Sequence, residues 1–221
     1  ARAVALNLYD PDHNRLTANQ GSFETNTAGW VAEANATISR STGQAWDGVA
    51  SLLVTSAAAG EARAATSAGT SGVPVQAGGV YTALAMANPG STPRAVRIDV
   101  SWFTAGGGVI AASSGTASVA PASTWTQYAE TVTAPPSAAY AAVRVAYTAV
   151  AAGNTVYVDG VSFHAGESRV WKLGPSDGEN TPRFVSVAAI DADGQPVGAN
   201  VQADVLQLLE ASREVNFEVR V

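Results

Sequence analysis

Residues that could perform acid–base or nucleophilic chemistry are few in this sequence, and none stands in a recognisable catalytic motif. The two histidines are His13, in the turn DPDHN, and His164, at the end of an apolar run. Cysteine is absent, which excludes thiol chemistry and disulfides. The segment 191–194 begins like a calcium-binding loop but lacks its later ligands, and the glycines at 106–108 open no helix that could cradle a phosphate. The sequence therefore predicts that the protein is not an enzyme.

The elements that must position any binding residues are short β-strands. Runs rich in Val, Thr, Ile, Tyr and Ala are separated by turns rich in Gly, Pro, Asn and Ser. In the run RIDVSWF (97–103), polar and apolar residues alternate, which gives the strand one dry and one wet face. The run TVYVDGVSF (155–163) alternates similarly, with a slip near Gly160 that predicts a β-bulge. The pattern predicts an all-β fold, an antiparallel β-sandwich.

The two ends of the chain differ from this middle part. We divide the sequence into an attachment strand, the sandwich, a linker and a smaller β-rich assembly segment, at residues 1–18, 19–165, 166–183 and 184–221. Residues 201–210 fit one face of a short helix and fit a strand equally well. The alternating strand 214–221 offers an edge for pairing with another chain, which predicts a homo-oligomer.

Composition excludes several kinds of partner. The 221 residues carry a formal net charge of −6, with 12 basic and 18 acidic side chains. Lys and Arg form no cluster, so we expect no nucleic-acid partner. No apolar run approaches the roughly 20 residues that cross a bilayer, so we expect no membrane partner. Residues 1–10 carry an early charge and no apolar core, so they are not a signal peptide.

Four segments resemble, in order, the motifs of carbohydrate-binding modules of the CBM4/9 type, which share the galactose-binding-like jelly roll. These segments are NQGSFETNTAGW (19–30), AWDGVASLLVT (45–55), TWTQYAETVTAPPSAAYAAVRV (124–145) and NTVYVDGVSF (154–163). The resemblance implies a jelly roll whose first and last strands meet. The module is also similar to domains in tail and other virion proteins of tailed bacteriophages.

The same resemblance implies a structural calcium ion between the opening and closing strands. Transferred residue by residue, its ligands are Glu24 and Asp159, with Asp47 and the neighbouring carbonyls as further partners. Calcium takes about six to eight oxygen ligands, so such a site would tie the ends of the module together. The closing motif reads Asp-Gly where many members have two aspartates, which removes one ligand. The other reading is that Glu24 and Asp159 accept hydrogen bonds from backbone N–H groups.

Sugar binding requires flat aromatic faces with hydrogen-bonding groups at the rim. Trp46 stands in a turn where small or polar residues are expected, so we predict that it is exposed. Tyrosines would line the binding face, and an arginine or a glutamine would stand near its rim. Alanine fills most other strand positions, which leaves few further stacking partners. The predicted binding residues are Trp46, Tyr81, Tyr140, Tyr147, Arg97 and Gln127.

Together these observations predict a non-enzymatic structural protein of a bacteriophage particle, tail-associated or decorating, whose module contacts host-surface glycans. Its partners would be other virion proteins, further copies of itself and host cell-wall polysaccharide. Its location would be the virion, after synthesis in the host cytoplasm. The alternative is an accessory carbohydrate-binding module of a secreted bacterial glycoside hydrolase, and a third reading is an adhesion domain that binds no glycan.

Overall fold

The structure, a computed structural model, describes residues 4–7, 14–169 and 186–189. The chain divides into two compact units, of which one comprises Ala1–Pro11 with Gly178–Val221 and the other Asp12–Asp177. The sequence of the second unit is therefore inserted between the two segments of the first.

In the first unit, strand β1 (Val4–Asn7) pairs antiparallel with strand β14 (Ser186–Ala189), so that Val4 lies opposite Ala189. The segments 201–210 and 214–221, for which the sequence left helix or strand open and predicted an edge strand, lie outside the described residues.

The second unit is a sandwich of two antiparallel sheets, which confirms the predicted all-β fold. The seven-stranded sheet has the order β10-β8-β12-β5-β2, with β9 on β8 and β6 on β12, and its strands are β2 (Trp30–Ala34), β5 (Gly60–Thr66), β6 (Val73–Pro74), β8 (Arg94–Phe103), β9 (Val109–Ser114), β10 (Ser118–Ala120) and β12 (Tyr140–Ala149). The five-stranded sheet has the order β11-β7-β13-β4-β3, and its strands are β3 (Ala36–Ser41), β4 (Ser51–Ser56), β7 (Val80–Asn88), β11 (Thr126–Thr133) and β13 (Thr155–Ala165).

Two short helical elements accompany the sheets within residues 14–169. The α-helix α1 (Ala18–Ser22) precedes the first strand of the sandwich, and a single 3-10 turn covers Gly69–Ser71. No helix in the described part of the chain is long and apolar enough to cross a membrane.

Strand alternation places the core between the two sheets. On β8 the residues Ile98, Val100 and Trp102 point inward, and Trp102 has no exposed surface, which confirms the dry face predicted for this strand. The ring of Tyr81 stacks on Phe163 with centroids 5.3 Å apart and lies 6.2 Å from Trp102. Many other core positions are alanine, so these rings fill the interior that small side chains leave.

The resemblance implied that the first and last strands meet, but β2 and β13 belong to different sheets, and it is the segment before α1 that lies beside β13. The backbone N–H of Arg15 donates to Phe163 O at 2.7 Å. The buried Asn14 side chain donates to Val161 O and accepts from Phe163 N, both at 2.9 Å. The opening motif is not a strand throughout, however, because residues 18–22 form α1. A capping box causes this: Thr17 accepts from Gln20 N, and the Gln20 side chain accepts from Thr17 N.

The predicted β-bulge is present in β13. The pairing of β13 with β7 shifts between Asp159 and Ser162, and Gly160 has φ +53°. A Cβ on Gly160 would also come within 2.6 Å of the Trp46 ring. Glycine is therefore required at this position for its backbone conformation and for the close approach of the indole.

We expect the change Tyr147→Phe to lower the free energy of unfolding by about 1–2 kcal/mol, because the buried hydroxyl would no longer donate to a backbone carbonyl. The Tyr147 hydroxyl lies 2.7 Å from Asn154 O and 3.3 Å from Val54 O. Urea denaturation measures the change. Tyr140→Phe removes the same atom from a half-buried surface ring and should cost less than about 0.5 kcal/mol. Equal losses in the two variants would contradict the expectation.

Candidate functional site

Six charged side chains lie together on the outer face of the seven-stranded sheet. We call this group the charged face, and its members are Glu33 (β2), Glu61 and Arg63 (β5), Arg97 and Asp99 (β8) and Arg144 (β12). Residues two apart on a strand point to the same side, and the register places Arg144 between Asp99 on one neighbour and Ala65 on the other. Positions on four neighbouring strands therefore converge on one surface.

Two arginines hold most of the carboxylates of the charged face. The Arg144 guanidinium forms a bidentate pair with the Glu33 carboxylate: Nε and Nη2 donate to the two carboxylate oxygens at 2.5 Å and 3.0 Å. Arg97 reaches Glu61 from Nη1 at 2.6 Å and Asp99 from Nε at 3.0 Å. Each arginine thus fixes its acidic partner across or along the strands.

Arg63 joins these groups into one network, since its guanidinium lies 3.5 Å from Glu61 and 3.8 Å from Glu33. The hydrogen bond from Arg97 lowers the pKa of the Glu61 carboxyl although partial burial opposes this. The same hydrogen bond raises the pKa of the Arg97 guanidinium. Glu61 and Arg97 therefore stay charged at neutral pH, and the three cations of the face balance its three anions.

The charged face is open to solvent except at Asp99. Side-chain exposure runs from 15% for Arg144 to 37% for Glu61, whereas the Asp99 side chain has none. The sequence placed Asp99 on the wet side of its strand; it lies on that side, but Arg97 and the N–H of Gly115, at 3.2 Å, cover it with hydrogen bonds.

An aromatic ring shares this surface. Tyr140 begins β12, points to the same side as Arg144 four residues later, and is half-buried. Small residues lie between Tyr140 and Arg144 and beside Arg144: Ala65, Ala142 and Ala146 are at most 2% exposed. Tyr140 itself lies opposite the buried Phe103 of β8. The face therefore combines one ring with a row of rigidly paired hydrogen-bonding groups.

The structure does not bring the predicted sugar-binding residues together. Tyr81 and Tyr147 are 3% and 1% exposed, so we correct the prediction for both: alternation turns their rings into the core, where they offer no face to a ligand. Arg97 lies on the charged face. Gln127 is exposed on β11 of the five-stranded sheet, where its amide donates to Arg169 O at 2.7 Å.

Trp46 is exposed, as its position in a turn predicted, with 38% of its surface accessible. Its ring packs against Gly160 of β13 and so belongs with the five-stranded sheet. Trp46 and the charged face are therefore parts of different surfaces.

Asp159 holds the loop that carries Trp46, which we call the Trp46 loop (residues 43–50). Its buried Oδ2 accepts from the N–H groups of Trp46 at 2.8 Å and Asp47 at 3.1 Å, and its Oδ1 accepts from Gly160 N at 2.8 Å. Burial raises the pKa of the Asp159 carboxyl to about 6, with a smaller contribution from the negative charge of Glu24, while the N–H donors act in the opposite direction.

Glu24 holds the far end of the same loop. Its Oε1 accepts from Val49 N at 3.0 Å and Ala50 N at 3.1 Å. The structure thus brings Glu24 and Asp159 to one loop, whereas the side chain of Asp47 is exposed. Among the described residues, no group of three or more His, Cys, Asp or Glu side chains could hold a metal ion. The calcium ion stays a prediction.

Sequence reasoning missed most of the charged face, although weak signals were present. Arg144 is the one charged residue in the otherwise apolar run AAVRVA (141–146), and Glu61 and Arg63 are two apart in a strand. A charge in the middle of an apolar strand indicates an outward position with a partner. The partners themselves come from strands distant in sequence.

The fold of this sandwich is similar to that of solved carbohydrate-binding modules. The C-terminal family 22 carbohydrate-binding module of Clostridium thermocellum Xyn10B matches with a TM-score of 0.53 and 19% identity, over 66% of this chain and 90% of that one. The CBM22-1 xylan-binding domain from Paenibacillus barcinonensis Xyn10C matches with a TM-score of 0.53 and 16% identity, over 76% and 99%.

A longer structure shares the fold as well. The CBM22-1–GH10 modules of Clostridium thermocellum endo-1,4-β-D-xylanase 10B, complexed with xylohexaose, match with a TM-score of 0.57 and 14% identity, over 71% of this chain and 29% of that one. These structures belong to family 22 and are 14–19% identical to this chain, so they confirm the jelly-roll fold alone, and the CBM4/9 type stays a prediction. No family model and no curated protein matches the sequence.

Asp159 should make stability depend on pH. Its pKa of about 6 in the folded protein lies above the ordinary 3.8, so the folded state binds the proton more tightly than the unfolded chain. The contribution is fully present below pH 3.8 and is lost as the pH rises through about 6. We expect Asp159 alone to lower the free energy of unfolding by on the order of 2–3 kcal/mol between acidic and neutral pH.

Urea denaturation across this pH range checks the expectation: the free energy of unfolding of wild type should fall relative to that of Asp159→Asn as the pH rises through about 6, because Asn does not titrate. Asp47→Asn, a change of the same kind at an exposed side chain of the same loop, should follow the wild-type profile. Parallel profiles for wild type and Asp159→Asn would show that the carboxyl does not titrate as described.

Proposed function

We propose that this protein is a non-enzymatic carbohydrate-binding protein whose jelly roll contacts polysaccharide through the charged face and Tyr140. The observation that carries the proposal is the arrangement of paired arginines and carboxylates beside an aromatic ring on one open sheet face. Sugar hydroxyls both donate and accept hydrogen bonds, so they match a surface that offers guanidinium donors next to carboxylate acceptors. The Tyr140 ring supplies a face on which sugar C–H groups can stack.

The ion pairs also set the geometry of this surface in advance. Each arginine is held by at least one carboxylate before any ligand arrives, which reduces the side-chain freedom that binding would remove. The balance of three positive and three negative side chains favours a neutral polysaccharide over a polyanion. Because the similar modules include xylan-binding domains, xylan is the first ligand to test.

We expect Tyr140→Ala to weaken binding of xylohexaose or of host cell-wall polysaccharide about tenfold, the loss of one stacking contact. Glu33→Gln should weaken it further, since it removes an acceptor and loosens Arg144. Isothermal titration calorimetry measures both, and melting temperatures report whether the variants remain folded.

Trp46→Ala and Gln127→Ala are the matched controls, because both residues are exposed on the other sheet. They should leave the affinity within about twofold of wild type. Loss of binding in Trp46→Ala with full binding in Tyr140→Ala would move the site to the five-stranded sheet. If the protein binds none of the tested polysaccharides, an adhesion domain that binds no glycan is the better description.

We further propose that the protein is a structural component of a bacteriophage particle, located in the virion, in which the first unit joins other virion proteins and copies of itself. The arrangement that supports this reading is the insertion of the jelly roll between the two segments of a separate unit. A binding module carried by two chain connections suits display from an assembly. The alternative, an accessory module of a secreted glycoside hydrolase, is favoured by the structure in which a CBM22 module accompanies a GH10 module.

Sedimentation of the full chain separates these readings. The virion role predicts an oligomer at micromolar concentration, because assembly proteins form repeated contacts with themselves. Antibodies raised against the chain should then label purified phage particles. If the chain sediments as a monomer and the antibodies label no phage particle, the accessory-module reading is favoured.

A further inference from the structure

The Trp46 loop is fixed by hydrogen bonds in which the carboxylates of Glu24 and Asp159 act as acceptors. A carboxylate oxygen has two lone pairs, and each of two oxygens already accepts two backbone N–H groups: Asp159 Oδ2 and Glu24 Oε1. A third oxygen, Asp159 Oδ1, accepts from Gly160 N. The oxygens that the carbohydrate-binding resemblance assigns to calcium are therefore largely occupied by donors from the chain.

Arg40 donates hydrogen bonds to two backbone carbonyls beside these carboxylates. Its Nε donates to Phe23 O and its Nη2 to Glu24 O, both at 2.9 Å. Phe23 ends α1 in the left-handed conformation, with φ 60°, which turns the chain and leaves the carbonyls of this turn without helical partners. The planar guanidinium satisfies two adjacent carbonyls at once, and it brings a full positive charge to the Glu24 backbone.

The loop leaves little room between itself and Glu24. A Cβ on Gly48, which has φ +65°, would lie 2.3 Å from Glu24 Oε1, so the loop backbone packs directly against the carboxylate. Calcium needs about six to eight oxygens at roughly 2.3–2.6 Å. The donor set here, with Asp47 exposed and the oxygens of Glu24 and Asp159 already accepting backbone N–H groups, does not fit that requirement.

We propose that Arg40 supplies the positive charge at this junction and that, with Glu24 and Asp159, it forms a metal-independent clamp that positions the Trp46 loop. Arg40 lies on the core side of β3, two residues after the partly buried Ile38, so the strand delivers its guanidinium to the turn after α1. The clamp joins the start of the module, the β3–β4 connection and the last strand. The proposal is independent of the proposed function, because it concerns how the loop is held and not what the module binds.

Two measurements on the full-length wild-type chain test the metal-independent part. The melting temperature should agree within about 1 °C in excess EDTA and in millimolar calcium chloride. Terbium(III), a calcium substitute whose emission is excited through nearby tryptophan, should show no saturable luminescence beside Trp46. A rise of several degrees with calcium, or saturable terbium emission that calcium displaces, would overturn the proposal.

Variants of Arg40 test its positioning role. Arg40→Lys keeps the positive charge but loses the planar guanidinium that donates to both carbonyls, so we expect the melting temperature to fall by about 2–6 °C. Arg40→Met should lower the melting temperature further. Hydrogen exchange gives the local readout: in Arg40→Lys, peptides covering 43–50 should exchange faster, while peptides from β12 should not change.

Arg15→Lys is the matched control, because Arg15 also donates to a backbone carbonyl, that of Pro74 at 3.1 Å, away from the loop. It should leave the exchange of residues 43–50 unchanged. Unchanged loop exchange in Arg40→Lys, or equal loop exchange in both variants, would show that Arg40 does not position the loop. Should Arg40→Met fail to fold, the exchange data for Arg40→Lys and the terbium measurement still decide.

Discussion

The structure of the jelly roll depends on one buried carboxylate. Asp159 has no exposed surface, lies in the middle of the last strand, and receives three backbone N–H donors. A buried carboxylate without partners would be very costly, so each of these bonds is needed once the last strand is in place. Two of the donors come from the loop between β3 and β4. Burial of β13 therefore also determines the path of a loop that lies 113 and 112 residues earlier in the sequence.

Much of the fold follows from features that act within a single strand. The alternation in RIDVSWF places Trp102 in the core, and Gly160 marks the bulge, because each depends only on local period and backbone freedom. The helix α1 was not predicted from the opening motif. Its signal was local as well, a threonine followed by a glutamine three residues later, but the resemblance to a strand-forming motif concealed it.

The candidate site could not be predicted to the same extent, because its contacts join strands that are far apart in the sequence. Glu33 and Arg144 are separated by 111 residues, and the alternation of either strand gives its outward side but not its neighbour. The prediction that Tyr81 and Tyr147 bind sugar was wrong for a related reason. A tyrosine in a strand is compatible with both faces, and here the core takes the rings and backbone carbonyls or N–H groups take the hydroxyls. What distinguishes the charged face is strand order, which the sequence does not state.

The two ends of the module lie side by side, since the N–H of Arg15 is bonded to the carbonyl of Phe163. The chain therefore enters and leaves the sandwich at almost the same point. The segments that flank the sandwich in sequence belong to the other unit. Replacing the whole sandwich by a different domain with adjacent termini would leave the spacing of those segments nearly the same. The sandwich can therefore be exchanged as one stretch of sequence, without change to the segments that flank it.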